Sequence, residues 1–173
     1  MWLPSWANSL RQTLNRLSEE RPLRLALLGI GHELRGDDAA GLAVAAGLRP
    51  FANDDFLAIE AGHAPENHTS SLRRFAPTLV LLVDAAQMNE APGAIRWLNP
   101  QTITGISASS HTMPLHMLAR FLQAELGCEV AFIGIQPADT TLGAPLSPEV
   151  KTAVATIIQR ARAWRLENVR LPK

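Results

Sequence analysis

The sequence predicts an α/β fold, with helices on both faces of a mostly parallel sheet of five strands. Segments of strand character alternate with segments of helical character through most of the 173 residues, which is typical of βαβ units. The first strand is an unbroken apolar run that ends at glycines, as in a strand covered on both faces. A hydrophobic content of 47% suffices for one core, so we expect a single domain over residues 22–173 after a helical extension over residues 1–21.

The extension is predicted to be an amphipathic helix over residues 1–20, with Pro4 in its first turn. Its apolar residues recur at steps of three and four: Trp2, Leu3, Trp6, Leu10, Leu14 and Leu17. Polar residues interrupt this pattern, so we do not expect a secretory signal peptide. The apolar face either packs on the rest of the chain, which we favour, or docks to a partner or a membrane surface.

The strands of the domain are predicted at apolar runs bounded by turn residues. Pro92 and Gly93 form a turn before the fourth run, whose two-residue alternation indicates an edge strand. The predicted strands are residues 24–30, 56–60, 78–83, 94–98 and 129–135.

Helices are predicted between these strands, where apolar residues recur at helical spacing. The first of them begins at the adjacent Asp37 and Asp38, either of which is a good N-cap. Ser147 and Pro148 begin the last helix, because serine caps well and proline suits a first helical position. The predicted helices of the domain are residues 38–48, 65–75, 113–126 and a segment from 148 onward.

Composition narrows the class of partner and the compartment. Lysine plus arginine and aspartate plus glutamate are sixteen each, so no basic surplus indicates nucleic acid or an anionic membrane as a partner. No apolar run reaches the roughly 18 residues of a transmembrane helix. The single cysteine, Cys128, forms no internal disulfide and fits a reducing compartment, so we expect a cytoplasmic protein. Cys128 itself adjoins a buried strand and is expected to be an inert core residue.

Three polar side chains occupy comparable places in this fold. Asp38 follows the first strand, Asp84 follows the third, and His111 precedes the helix predicted from residue 113. In a doubly wound sheet these two strands can be neighbours, with their carboxyl ends at one crevice. Two carboxylates and an imidazole there would suit a divalent ion such as zinc or nickel. Taken singly, such residues are more often a helix cap (Asp38), a loop acid (Asp84) and a polar contact (His111) than metal ligands.

The trio lies in three ordered segments, GIGHELRGDDAAG, VDAAQ and SSHTMPL. These segments resemble those of the hydrogenase maturation endopeptidases, which trim the carboxyl-terminal tail of a [NiFe] hydrogenase large subunit. Two further segments are similar to the branch that processes hydrogenases of the formate-hydrogenlyase (hydrogenase 3) type. The five matching segments are GIGHELRGDDAAG, GHAPEN, VDAAQ, SSHTMPL and FIGIQP. The resemblance extends from about residue 23 to about residue 162.

The resemblance implies a three-layer α/β/α sandwich with a twisted, mostly parallel five-stranded sheet. It implies that Asp38, Asp84 and His111 are the catalytic and metal-contacting residues, and we expect Asp37 to support the loop. The implied partner is the large-subunit precursor already loaded with nickel, which supplies the metal to an otherwise empty site. The chain itself is expected to be a monomer or a weak dimer.

Several alternatives stay open at this level. Either the metal polarises the scissile carbonyl, or Asp38 or Asp84 acts as a base toward water. A noncatalytic chaperone that binds the nickel-loaded precursor, or a small-molecule metallohydrolase on the same fold, would use the same residues. The family usually has asparagine where this chain has His32, which either replaces one hydrogen-bonding residue by another or adds a ligand. The first of these interpretations is favoured. His63, His68 and His116 are expected in loops or at the surface.

Overall fold

A computed structural model of the chain describes residues 5–100 and 113–168, and of residues 165–168 only the backbone. Within this part of the chain, five strands form one sheet in the order β2-β1-β3-β5-β4. The strands are β1 Leu25–Ile30, β2 Phe56–Gly62, β3 Leu79–Ala85, β4 Ile95–Leu98 and β5 Glu129–Ile135. The predicted α/β class and the predicted number of strands are confirmed.

Strand pairing is parallel for β2, β1, β3 and β5, whereas β4 runs antiparallel to β5 at the edge of the sheet. β1 and β3 are neighbours, with Gly29 opposite Val83. Both strands are buried along their whole length, because helices cover both faces. The predictions that strands one and three are adjacent and that the fourth strand lies at the edge are therefore confirmed.

Helices pack on both faces of the sheet. The described α-helices are α1 Ser5–Glu20, α2 Ala40–Leu48, α3 Thr69–Phe75, α4 Leu115–Leu126 and α5 Pro148–Asn168. Leu25 and Leu27 point to a core built with α1, α2 and α5, whereas Ala26 and Leu28 point to a second core built with α3 and α4. This alternation along β1 produces the three-layer α/β/α sandwich.

Helix α1 packs on the chain's own sheet through its apolar face. Trp6, Leu14 and Leu17 are buried, and the helix contacts the edge strand β4. Arg16 forms an ion pair of 2.6 Å with Glu129 at the start of β5. Covering an edge strand removes a surface that would otherwise pair with another chain. The sequence left open whether this apolar face packs on the chain itself or docks to a partner or a membrane surface. The burial of these residues supports packing on the chain itself.

Two sequence predictions about the acidic residues need correction. Asp84 does not follow β3 but lies within it, because the strand continues to pair with Gly134 and Ile135 of β5. Neither Asp37 nor Asp38 caps α2: both lie in a 3₁₀ segment, Gly36–Ala39, that precedes it, and the cap position has no side-chain hydrogen bond. Another 3₁₀ segment, Pro65–His68, likewise precedes α3. No helix in the described residues is long and apolar enough to cross a membrane.

Candidate active site at the carboxyl edge of the sheet

Asp38 and Asp84 lie at the carboxyl edge of neighbouring strands. Asp84 is one residue beyond Val83, the partner of Gly29, and both aspartates are 0% exposed. Gly31 brings Asp38 back to the end of β1, since its backbone has a φ of 137° and a Cβ there would lie 1.8 Å from the carbonyl oxygen of Asp38. Only glycine permits this approach. The sequence therefore brings two of the three predicted site residues to the same edge.

The third predicted site residue, His111, lies outside the described residues. Among residues 5–100 and 113–168, no group of three or more histidine, cysteine, aspartate or glutamate side chains is arranged to hold a metal ion. The metal-contacting trio of Asp38, Asp84 and His111 therefore stays a prediction. Two buried carboxylates do fit a divalent cation, because carboxylate and cation have opposite charges, and these attract each other more strongly where water is excluded.

Asp37 holds a distant loop in place. One carboxylate oxygen accepts hydrogen bonds from the N–H groups of Ala138 (2.7 Å) and Asp139 (2.9 Å), and the other accepts from the N–H of Ser147 (2.7 Å). The N–H of Asp37 in turn donates to the carbonyl of Asp139 at 2.8 Å. Such charge-assisted bonds from backbone amides are strong. The neighbouring aspartates thus differ in role: Asp37 anchors the loop between β5 and α5.

His32 and His63 form an aromatic pair at the carboxyl edge of the sheet. They follow β1 and β2, and their ring centroids are 6.2 Å apart with planes inclined by 26°. The N–H of Leu34 donates to Nδ1 of His32 at 3.2 Å, which places the proton of the neutral ring on Nε2. His32 therefore presents an N–H donor, as an asparagine amide would. His63 is exposed, as expected. Its pairing with His32 was not anticipated, because the two residues follow different strands and are far apart in the sequence.

Gln136 supports the loop that follows β3, a role that the sequence pattern did not suggest. Its Oε1 accepts from the N–H groups of Met88 (2.7 Å) and Glu90 (3.3 Å), and its Nε2 donates to Oε1 of Gln87 at 2.9 Å. Gln136 thereby joins the end of β5 to the loop after β3. The sequence signal that could have identified it is a polar residue directly after an apolar strand. In the structure this residue is buried, so its side chain needs hydrogen-bond partners.

Cys128 does not contribute a nucleophile. It directly precedes β5, at the edge of the sheet opposite to the edge that carries the aspartates, and it is buried. Burial raises the pKa of its thiol to about 11. The thiol is therefore protonated at neutral pH, whereas nucleophilic attack requires the thiolate. Its predicted place in the core is confirmed.

Comparison with known proteins gives a consistent set of relatives. Residues 47–164 match the family model described as hydrogenase maturation protease. The hydrogenase 3 maturation protease of Escherichia coli K12 is 37% identical over 139 residues, covering 80% of this chain and 88% of that protein. The crystal structure of the [NiFe] hydrogenase maturation protease HycI from Thermococcus kodakarensis has a TM-score of 0.77 at 29% identity, over 90% of this chain and 99% of that one. The solution structure of the Escherichia coli endopeptidase HycI has a TM-score of 0.73 at 35% identity, over 83% and 92%.

Proposed function

Since the chain belongs to the hydrogenase maturation protease family, and is a peptidase, we propose that it removes the carboxyl-terminal extension of a nickel-loaded [NiFe] hydrogenase large-subunit precursor. The resemblance to the hydrogenase 3 branch is confirmed by the Escherichia coli relative. The observation that supports a site at the carboxyl edge is the burial of Asp38 and Asp84 at the ends of adjacent strands. Parallel α/β sheets place their chemistry at this edge.

In this proposal the nickel belongs to the substrate. The precursor's metal completes its coordination with Asp38, Asp84 and His111, because carboxylate oxygen and imidazole nitrogen suit nickel. That contact holds the scissile peptide at the edge of the sheet, which makes cleavage conditional on nickel loading. Hydrolysis then needs an activated water or a polarised carbonyl. In the first case, Asp38 or Asp84 would accept the proton of the attacking water. An unloaded precursor lacks the anchor.

Mass spectrometry of the precursor tests both parts of the proposal. We expect a discrete loss of mass from the carboxyl terminus when the nickel-loaded precursor is incubated with this protein, and no loss from the nickel-free precursor. Protein treated beforehand with a chelating resin should cleave as fast as untreated protein, since the metal arrives with the substrate. Equal cleavage of the nickel-free precursor would contradict the nickel requirement, and a stable complex without any change in mass would contradict proteolysis of this substrate.

We further infer that the protein works in the cytoplasm as a monomer or a weak dimer. The single cysteine, which is buried and protonated, fits a reducing compartment. Light scattering at several concentrations tests the oligomeric state, since a tight dimer would keep twice the monomer mass on dilution.

His32 is proposed to act as a hydrogen-bonding residue rather than as a metal ligand. His32→Asn should retain cleavage within about threefold, because the amide supplies both an acceptor for the N–H of Leu34 and an outward donor. His32→Ala should lose about tenfold, since it supplies neither. Initial rates on the nickel-loaded precursor provide the measurement. A loss in the asparagine variant as large as in the alanine variant would favour the ligand role.

A further inference from the structure

The loops beside the aspartates expose two leucines. Among the described residues, four large apolar side chains are exposed: Leu34, Met117, Phe121 and Leu142. Leu34 and Leu142 are the most exposed of these, at 58% and 65%. Leu34 lies in the loop between β1 and Asp38, and Leu142 lies in the loop between β5 and α5. Both loops leave the carboxyl edge of the sheet, so we call this pair of residues the leucine rim.

The two loops of the leucine rim are joined by their backbones. The N–H of Gly143, next to Leu142, donates to the carbonyl of Leu34 at 2.7 Å. Gly36 approaches the carbonyl of Asp139 so closely that a Cβ there would lie 2.4 Å from its oxygen. The carboxylate of Asp37 adds the three bonds described above. The leucines are thus held at the surface by bonded loops and cannot simply fold inward.

A single exposed leucine needs no explanation, because folded proteins expose much apolar surface. Two ordered leucines on hydrogen-bonded loops beside the candidate site are different, since adjoining exposed apolar residues mark interaction surfaces. The exposed residues that flank Leu34 are Glu33 and Arg35, whose charges are opposite. The charges of these two residues offset each other, and Asp139 of the adjoining loop is the exposed acid nearby. The flanking charges therefore select no charged partner, and the leucines provide the attraction.

We propose that the leucine rim is the docking surface for an apolar segment of the precursor polypeptide that adjoins the scissile tail. This inference rests on the proposed function, because the occupant is the substrate protein itself. An endopeptidase must hold the chain beside the bond that it cuts, and the leucine rim is continuous with the loop that carries Asp38. Burial of each leucine against the partner adds affinity that does not depend on the metal. The nickel contact selects the loaded precursor, and the leucine rim holds the polypeptide.

Binding of the nickel-free precursor, which is not expected to be cut, is measured by titration calorimetry and tests the docking surface without cleavage. Leu34→Ser and Leu142→Ser should each raise the Kd about tenfold, since a buried leucine is worth one to two powers of ten in affinity. The double variant should lose about 100-fold. Phe121→Ser, which removes an exposed apolar side chain from α4, is the matched control and should bind as tightly as the unsubstituted protein.

The outcomes separate this inference from the proposed function. Unchanged binding by the double variant would overturn the docking surface even if the precursor is cut normally. An increase in KM with an unchanged kcat on the nickel-loaded precursor would support it, because docking acts before the chemical step. A double variant that instead turns a dimer into a monomer would also overturn the proposal, since the leucines would then contact a second copy of the chain. Failure of the unsubstituted protein to cut the precursor would count against the proposed function alone.

Discussion

Asp38→Asn is expected to reduce cleavage of the nickel-loaded precursor by more than about 100-fold, because the amide neither accepts a proton nor carries the charge that a metal contact requires. The substitution preserves size and shape, and Asp38 is fully buried beside the end of β1. The variant should therefore still fold and unfold in a single cooperative thermal transition. Initial rates by mass spectrometry and a circular dichroism melt measure the two effects.

Asp84→Asn should behave in the same way, since Asp84 lies at the same edge on the neighbouring strand. His111→Ala should join them if the predicted trio is correct. Asp54→Asn is the matched control, because Asp54 is an exposed acid that precedes β2, at the opposite edge of the sheet. Normal rates in all three site variants would refute the assignment, and a loss in Asp54→Asn as well would indicate a general effect of charge.

The sheet could be predicted because its signals are local. An apolar run over residues 130–135 between Gly127 and Pro137 predicts a strand over residues 129–135, and β5 has those bounds in the structure. β3 extends beyond its predicted end because its pairing with β5 continues to Ala85, and pairing between distant strands is not a local property. The 3₁₀ segments before α2 and α3 were missed for a related reason, since tertiary contacts decide how a helix begins.

The site could be predicted only in part. Asp38 and Asp84 were identified because each follows an apolar run at a position shared with a known family, and the structure places both at one edge. The partners of Asp37 lie more than one hundred positions away, at Ala138, Asp139 and Ser147, so no spacing rule could have indicated them. Gln136 and the pairing of His32 with His63 were missed for the same reason: their contacts join separate loops.

Asp37→Asn is expected to lower the free energy of unfolding by about 3 kcal/mol. The carboxylate accepts three backbone hydrogen bonds in a buried place, and an amide turns a donor toward N–H groups that are donors themselves. For a chain of 173 residues this loss lowers the thermal midpoint by about 6–12 °C. Thermal unfolding followed by circular dichroism measures it, with Asp54→Asn again as the control.

Cleavage separates the two neighbouring aspartates. Because Asp37 anchors a loop and is not expected to touch the substrate, the folded Asp37→Asn protein should cut the precursor within about tenfold of the normal rate at 15 °C, with the loss in KM. That change in KM follows from the looser attachment of the loop that carries Leu142. Asp38→Asn should instead give a folded protein that does not cut. If Asp37→Asn melted normally and yet lost activity more than 100-fold, the chemistry would have to be assigned to both carboxylates, and the backbone amides that surround Asp37 would be orienting a reactive group instead of fastening a loop.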